Sequence, residues 1–286
     1  MRPANPAAPG NQGNTVNQQS LRVAVAQVPP ISGSEGHDDV VELALARTER
    51  LAARAAAAGA DVLVLPEMHL TGYAIGAEVV GALAVEADGA ASSRVAASAR
   101  AHGVAICHGF PERDGDAVYN AAAFVDEHGT ELLRHRKMHR FGEVDVAQFS
   151  PSDAPPGVAR WRGWGIGVAI CYDIEFPEVG RMLAFAGADV VCVPTANMVG
   201  FDAVSRLLVP ARAYENQMFV AYGNYCGSDA VFDYNGLSVV AGPDGAALAE
   251  AGRGEELLLA DLSREVLEAS RVDNPYLHDR RGEIYG

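Results

Sequence analysis

Short apolar runs alternate with helical segments along most of this 286-residue chain. The runs at 21–28, 61–65 and 164–171 are predicted strands, and the Ala-rich segment 38–59 is a predicted helix. Apolar strands flanked by helices indicate buried sheets covered by helical layers. Residues 117–137 contain two predicted strands joined by a short turn, and strands joined in this way pair antiparallel within a sheet. The pattern therefore favours an α/β fold with mixed sheets.

The composition limits the class of protein. Hydrophobic residues make up 49% of the chain and charged residues 21%, which is enough apolar material for a core. The net charge of −15 argues against nucleic acid and anionic membranes as partners, because both need a basic surface. We expect 1–20, which lacks the apolar core of a secretory signal, to be a disordered tail. Residues 21–286 should form one domain, with 272–286 as an extended C-terminal arm.

The four cysteines lie far apart, and no two have CxxC spacing. Cys107, Cys192 and Cys226 fall in strand-like runs, where a cysteine is most often a small buried apolar residue. Neither a disulfide framework nor a zinc site is indicated. We therefore expect a protein of the reducing cytoplasm.

Three polar residues stand where predicted strands end. Glu67 follows one buried strand, Lys137 ends a second, and Cys171 ends a third. In α/β sheets, functional sites gather at the carboxyl ends of strands. A carboxylate, an ammonium and a thiol are therefore expected to converge in one pocket.

Each of these groups has a role in acyl transfer. Cys171 is a candidate nucleophile, which a neighbouring base and the positive end of the following helix can deprotonate. Glu67 can serve as the general base, and Lys137 with the backbone N–H of Tyr172 can stabilise an oxyanion. Taken singly, each residue also has a purely structural interpretation. Cys171 can be a buried structural thiol, Glu67 a helix cap or surface carboxylate, and Lys137 part of a basic run exposed to solvent.

Motifs around these residues resemble, in their order along the chain, the nitrilase (carbon–nitrogen hydrolase) superfamily. The motifs are Leu65-Pro66-Glu67, Thr71-Gly72-Tyr73, Tyr119-Asn120, 135–142, Cys171-Tyr172-Asp173, Phe176-Pro177-Glu178 with Arg181, 194–197, 211–217, Pro243-Asp244-Gly245 and Asn274-Pro275-Tyr276. The resemblance implies a four-layer α-β-β-α sandwich, with two mixed β-sheets packed face to face and covered by helices. It also implies a Glu67-Lys137-Cys171 triad without metal or cofactor, and homodimers or higher oligomers that pair across helical faces.

The residues after the nucleophile indicate the substrate. Nitrilases of the superfamily typically carry Cys-Trp-Glu and N-carbamoyl hydrolases commonly carry Cys-Trp-Asp, whereas Cys171-Tyr172-Asp173 resembles the amidase branches. The resemblance therefore implies an aliphatic-type amidase, which converts a small carboxamide to acid and ammonia through a thioester. Nitrile or N-carbamoyl hydrolysis, acyl transfer to an amine, and a non-catalytic binding role are the alternatives.

Further residues are expected around the triad. The family often has a second acidic residue soon after the lysine; Glu143 and Asp145 both qualify, and residue type favours Glu143 as the one that positions substrate. Arg181 is expected to pair with an active-site carboxylate, with a surface salt bridge as its alternative. The candidates to line the acyl pocket, or else to serve in ordinary packing, are Tyr73, Tyr172, Asn197 and Met198.

Two histidines flank the candidate lysine. In a strand, His135 and His139 lie on the same face as Lys137, because alternate side chains share a face. Zinc binding lacks a further ligand at suitable spacing. We therefore expect local hydrogen bonds that tune the field around Lys137.

Overall fold

The computed structural model describes residues 18–31, 37–86 and 88–285. The strands are β1 (Ser20–Gln27), β2 (Val62–Val64), β3 (Ala105–Asp114), β4 (Ala117–Val125), β5 (Glu131–Arg136), β6 (Val158–Trp161), β7 (Trp164–Val168), β8 (Val190–Pro194), β9 (Phe219–Gly223), β10 (Cys226–Ser228), β11 (Asp233–Asn235), β12 (Val239–Ala241), β13 (Ala247–Glu250) and β14 (Glu256–Ser263). The α-helices are α1 (His37–Ala57), α2 (Ala77–Leu83), α3 (Ala90–His102), α4 (Gly142–Gln148), α5 (Pro177–Phe185), α6 (Val209–Asn216), α7 (Arg264–Asp273) and α8 (Tyr276–Asp279). Short 3-10 helices span Cys171–Glu175 and Gly282–Ile284, and a π-helical turn spans Val204–Leu208.

Two six-stranded sheets repeat one pattern. The first has the order β14-β1-β2-β3-β4-β5, and the second has the order β13-β12-β9-β8-β7-β6. In each sheet three central strands are parallel, β1 to β3 in one and β7 to β9 in the other. Antiparallel strands flank them on both sides, including the predicted pair β4 and β5. Both sheets are therefore mixed.

Three apolar clusters define the layers. The central cluster joins the inner faces of the two sheets, with Val25 and Val64 from the first and Ile166 and Val168 from the second. Helices α1 and α3 pack on the outer face of the first sheet, and α5 and α6 on that of the second. The predicted four-layer α-β-β-α sandwich is confirmed. Within the described ranges, no helix has the length and apolar character needed to cross a membrane.

Strand directions bring the site together. β5 is antiparallel to β4, which is antiparallel to β3, so β5 runs in the same direction as β2 and β3. The segments after β2 and after β8 touch, because the backbone N–H of Glu67 donates to the Thr195 carbonyl oxygen at 3.3 Å. Side chains just beyond these strands therefore meet where the two sheets face each other.

Several elements differ from the sequence predictions. Residues 1–17 of the predicted tail lie outside the described residues, but Gln18 is held in place, since its carbonyl oxygen accepts from Trp164 Nε1 at 2.9 Å. The predicted strand 164–171 ends at Val168. Helix α4 and strand β6 were not predicted. The described part of the C-terminal arm forms short helical turns and not an extended chain.

Candidate active site

Cys171 lies in a strained turn between β7 and the 3-10 helix that it begins. Its φ is 46°, in the left-handed region that costs a non-glycine residue roughly 1–2 kcal/mol. The side chain is buried, and the backbone N–H of Ala196 hydrogen-bonds its sulfur. Strain of this kind persists only where the surrounding structure imposes it, so the turn is a candidate for function.

Glu67 follows β2 in a second strained turn, in which Met68 has a φ of 50°. Gly109 on β3 makes room for this turn. A Cβ at Gly109 would lie 2.9 Å from both the Cα and the carbonyl carbon of Glu67, which is closer than real Cβ contacts. With the bond to Thr195 from the other sheet, the backbone positions the fully buried Glu67 carboxyl from two sides.

Lys137 joins two buried carboxylates. Its Nζ donates to Glu67 Oε1 and to Asp145 Oδ2, both at 2.7 Å. Asn120 holds this arrangement, because its carbonyl oxygen accepts from the Lys137 backbone N–H at 2.8 Å and its Nδ2 donates to Glu67 Oε1 at 2.7 Å. Glu67 and Lys137, two of the three residues that the sequence placed at strand ends, are therefore in direct contact.

The acidic residue against Lys137 is Asp145 and not Glu143. Both belong to α4, where two positions correspond to a rotation of about 200°, so only one can face the site. Asp145 is fully buried, and its Oδ2 also accepts from the Phe141 backbone N–H at 2.8 Å. Glu143 is exposed. The preference for Glu143 by residue type is therefore wrong, because the orientation of the helix decides.

Asp173 ties the Cys171 turn to the Lys137 segment. Its Oδ2 lies 2.9 Å from His135 Nε2, and its Oδ1 lies 2.9 Å from both the backbone nitrogen and Nδ1 of His139. Burial by itself raises the pKa of Asp173, but the bonds from His135 and His139 outweigh it and lower that pKa well below its usual range. The local hydrogen bonds expected of the two histidines are thus present, with Asp173 as their partner.

Arg212, which the sequence reasoning did not single out, braces the 3-10 helix from α6. It donates to the carbonyl oxygen of Ile174 at 3.0 Å, to that of Glu175 at 2.6 Å, and to the Glu215 carboxylate at 2.9 Å. Arg181, expected to meet an active-site carboxylate, instead donates to the Glu215 carbonyl oxygen at 2.9 Å. The only signal for Arg212 was its place in the motif 211–217.

Two predicted pocket residues stand beside the reactive groups. The Lys137 ammonium lies 5.6 Å from the centroid of the Tyr73 ring, and Tyr73 is buried. Tyr172 directly follows Cys171 and packs edge-on against Phe141, with 5.4 Å between ring centroids.

The other two predicted pocket residues serve packing and loop structure. Asn197 Oδ1 accepts from the Met198 backbone N–H at 3.0 Å, and its Nδ2 donates to the Phe201 carbonyl oxygen at 3.2 Å. Met198 is buried in the apolar cluster on the outer face of the first sheet. Asn197 therefore stabilises the loop after β8. Met198 is a core residue, which was the alternative to a role in the acyl pocket.

Burial controls the charge of the reactive groups. Burial and then the Glu67 carboxylate raise the pKa of Cys171 well above its usual range, and Lys137 offsets this only in part. Burial also raises the pKa of Glu67. Burial alone lowers the pKa of Lys137, but Glu67 and Asp145 outweigh it and hold the ammonium. Burial therefore favours the neutral form of the thiol, and its raised pKa makes Glu67 a stronger base than an ordinary carboxylate.

Across the ranges that the structure describes, no group of three or more His, Cys, Asp or Glu side chains is placed to hold a metal ion. The chemistry that the site offers is that of a thiol, a carboxylate base and a fixed ammonium.

Known proteins are similar to this chain in sequence and in fold. A family model described as carbon-nitrogen hydrolase matches residues 22–272. A protein from Pseudomonas protegens described as "Hydrolase in pqqF 5'region" is 45% identical over 272 residues, covering 93% of this chain and 91% of that protein. An (R)-stereoselective amidase from Pseudomonas sp. is 38% identical over 253 residues, covering 88% of this chain and 90% of the amidase.

Solved structures of an amidase from Nesterenkonia sp. AN1 are similar throughout. A double mutant in complex with acrylamide has a TM-score of 0.80 at 33% identity and covers 94% of this chain and 97% of that one. Another mutant, with the acetamide moiety of fluoroacetamide added covalently at the active-site cysteine, has a TM-score of 0.79 at 33% identity, with 97% and 98% covered. The chain thus belongs to the carbon-nitrogen hydrolase family, and its class is that of enzymes that hydrolyse C–N bonds.

Proposed function

We propose that the protein is an amidase that hydrolyses a primary carboxamide through a thioester on Cys171. One observation carries the proposal. Glu67 and Asp145 each use one carboxylate oxygen on Lys137, and the other oxygen of each is buried without a hydrogen-bond partner among the described residues. A buried acceptor left unpaired costs about 1–3 kcal/mol. A primary amide nitrogen brings two N–H donors, whereas a nitrile brings none, so these two acceptors favour an amide.

The proposed reaction begins with attack of Cys171 Sγ on the amide carbonyl carbon, while Glu67 takes the thiol proton. The Lys137 ammonium and the Tyr172 backbone N–H stabilise the resulting oxyanion. Collapse breaks the C–N bond, and Glu67 returns the proton to the leaving nitrogen, which departs as ammonia. Water, deprotonated by Glu67, then attacks the thioester and releases the acid and the thiol.

The relatives support this proposal. Two of the proteins compared carry the name amidase, and in one of them an acetamide moiety is bound covalently to the active-site cysteine. The strained turn at Cys171 supports it as well, since a merely structural thiol has no need of a positive φ.

Replacing the nucleophile tests the proposal. Cys171→Ala should abolish ammonia release from short amides such as acetamide and butyramide, while the variant unfolds at a temperature near that of the wild type. Cys226→Ala, a change at another buried cysteine, is the matched control and should retain activity. Intact-mass measurement during turnover should detect the acyl adduct in the wild type and in Cys226→Ala, but not in Cys171→Ala. Full activity of Cys171→Ala would overturn the proposal.

We also propose a cytoplasmic homodimer or higher oligomer, with a small-molecule amide as the partner. Four unpaired cysteines are compatible with a reducing compartment.

Apolar side chains exposed on α5 and the π-helical turn, Met182, Phe185 and Leu207, support pairing across a helical face. Light scattering of the purified protein should give at least twice the monomer mass; a monomer at all concentrations contradicts the proposal.

A further inference from the structure

Three aromatic rings from three separate segments meet beside the reactive groups. The ring centroid of Phe141 lies 5.4 Å from that of Tyr172 and 5.8 Å from that of Phe201, and both contacts are edge-to-face. Phe141 and Tyr172 are half-buried, and Phe201 is 45% exposed. The aromatic cluster, Phe141 with Tyr172 and Phe201, thus forms an apolar surface that water reaches.

Each ring is fixed to a different part of the site. The Phe141 backbone N–H donates to Asp145, which holds the lysine. Tyr172 is the neighbour of the nucleophile in the chain. The carbonyl oxygen of Phe201 accepts from Asn197, in the same loop as the N–H that bonds the nucleophile's sulfur. The aromatic cluster is therefore attached to the segments that carry Cys171 and the carboxylate bound to Lys137.

The fixed charges disfavour an anionic acyl group. Glu67 and Asp145 border the reacting atoms, and the one ammonium between them, Lys137, is bound to both. Arg212, the nearest brace of the nucleophile turn, is committed to two backbone carbonyls and to a carboxylate of its own helix. A carboxylate on the substrate would add like charge to a buried pair of carboxylates whose bound ammonium is already shared between them.

We infer that the site selects amides whose acyl group is apolar, uncharged and long enough to contact the aromatic cluster, and that it discriminates against amides carrying a carboxylate on that group. This inference rests on the proposed amidase function. Burying a few methylene or aromatic carbons against rings is the source of selectivity, and each methylene in such a pocket changes kcat/KM by about tenfold or more.

A pair of substrates of equal shape tests the charge preference. Glutaramate and 5-methylhexanamide have acyl chains of the same length and branching, but only the first ends in a carboxylate. The wild type should hydrolyse 5-methylhexanamide with a kcat/KM at least about tenfold higher, and also above that for acetamide. Equal or faster hydrolysis of glutaramate would overturn the inference.

Substitutions at Phe201 test the role of the rings. Phe201→Ala should lower the ratio of kcat/KM for 5-methylhexanamide to that for acetamide by about tenfold, mainly through KM. Phe201→Leu, which restores apolar volume, should recover most of the ratio. Val272→Ala, at a side chain 78% exposed on α7, should keep the wild-type ratio.

The failures of the two proposals are distinguishable. Turnover of acetamide with no change of the ratio in Phe201→Ala overturns the selectivity and leaves the amidase function standing. Absence of ammonia from every amide overturns the amidase function itself, and the selectivity with it.

Discussion

The buried charges beside the nucleophile are interdependent at the residue scale. Lys137 is an ammonium because two carboxylates contact it, and those carboxylates are tolerated in the core because Lys137 and Asn120 donate to them. Removing one member of a buried ion pair leaves an uncompensated charge and costs roughly 3–5 kcal/mol. Asp145 is therefore as necessary to the geometry as the residues that react.

Asp145→Asn tests this dependence. The amide keeps the size of the side chain but removes the charge that helps to hold Lys137 as an ammonium, so kcat for amide hydrolysis should fall about 100-fold or more. Glu143→Gln removes the same charge from an exposed position on the same helix and should keep kcat within about twofold. Steady-state ammonia release measures both. Equal losses in the two variants would contradict the assignment.

Glu175 carries a pH dependence of stability. Burial raises its pKa to about 7, against the opposing charges of Lys137 and Arg212. Between the two pKa values, the folded protein therefore keeps the proton on Glu175, whereas the unfolded chain, with a glutamate pKa of about 4.3, has already released it. This contribution is fully present below the unfolded pKa and is lost as pH rises through about 7.

Glu175→Gln should therefore raise Tm at pH 8 by roughly 2–4 °C, with little effect at pH 4.5, because the neutral amide avoids the cost of ionising a buried carboxyl. Scanning calorimetry at the two pH values measures the difference. Glu178→Gln, at an exposed position on α5, should show no such pH-dependent gain. A shift of equal size at both pH values would rule out the titration of Glu175 as its cause.

At the scale of elements, the reactive groups sit on short segments just beyond strands, and the segments are held by bonds between them. Asp173 links the nucleophile turn to the segment after β5, and Arg212 links the same turn to α6. Gly109 lets β3 approach the turn after β2. Geometry of the site therefore depends on contacts between elements that are distant along the chain.

Gly109→Ala tests the close approach of β3. The added Cβ would overlap the backbone of Glu67, so the carboxyl should shift and kcat should fall by about tenfold or more, since sub-ångström misplacement at a reacting centre is costly. Gly81→Ala in α2, where a Cβ meets open space, should retain kcat and gain up to about 1 kcal/mol of stability. Ammonia release and urea unfolding give the two readouts. Unchanged kcat in Gly109→Ala would mean that the turn relaxes freely.

The whole molecule is held by the interface between the two sheets. Its inner faces are apolar and buried, with aliphatic neighbours such as Ile166 and Val190, which are paired across β7 and β8, and with the rings of Phe124, Trp161, Trp164 and Phe219. Since both sheets contribute to the site, the packing between them sets the separation of Glu67 and Cys171. Loss of this packing should therefore lower the stability of the fold and, as a consequence, the activity.

Ile166→Ala should lower the free energy of unfolding by about 2–5 kcal/mol, because it removes buried methyl groups and leaves a cavity between the sheets. Ile284→Ala, at a side chain 59% exposed, makes the same change at the surface and should stay within about 0.5 kcal/mol of the wild type. Urea unfolding at 25 °C compares the two. A small loss at Ile166 would mean that the sheets close over the space.

Much of the fold was predictable because its signals are local. The apolar runs became β1, β2 and β7, and the Ala-rich segment became α1. Helix α4 and strand β6 were missed, because neither is long or strongly patterned and each is stabilised by its neighbours.

The sequence by itself determined the alternation of elements, the family and the strand-end positions of Glu67, Lys137 and Cys171, because apolar periodicity and motif order are properties of the chain. Only the tertiary structure decided that Asp145 faces Lys137 while Glu143 faces water, since two positions on one helix point in nearly opposite directions. It alone also decided that the pKa of Cys171 is raised and not lowered, because burial and the Glu67 carboxylate, both products of folding, outweigh the attraction of Lys137.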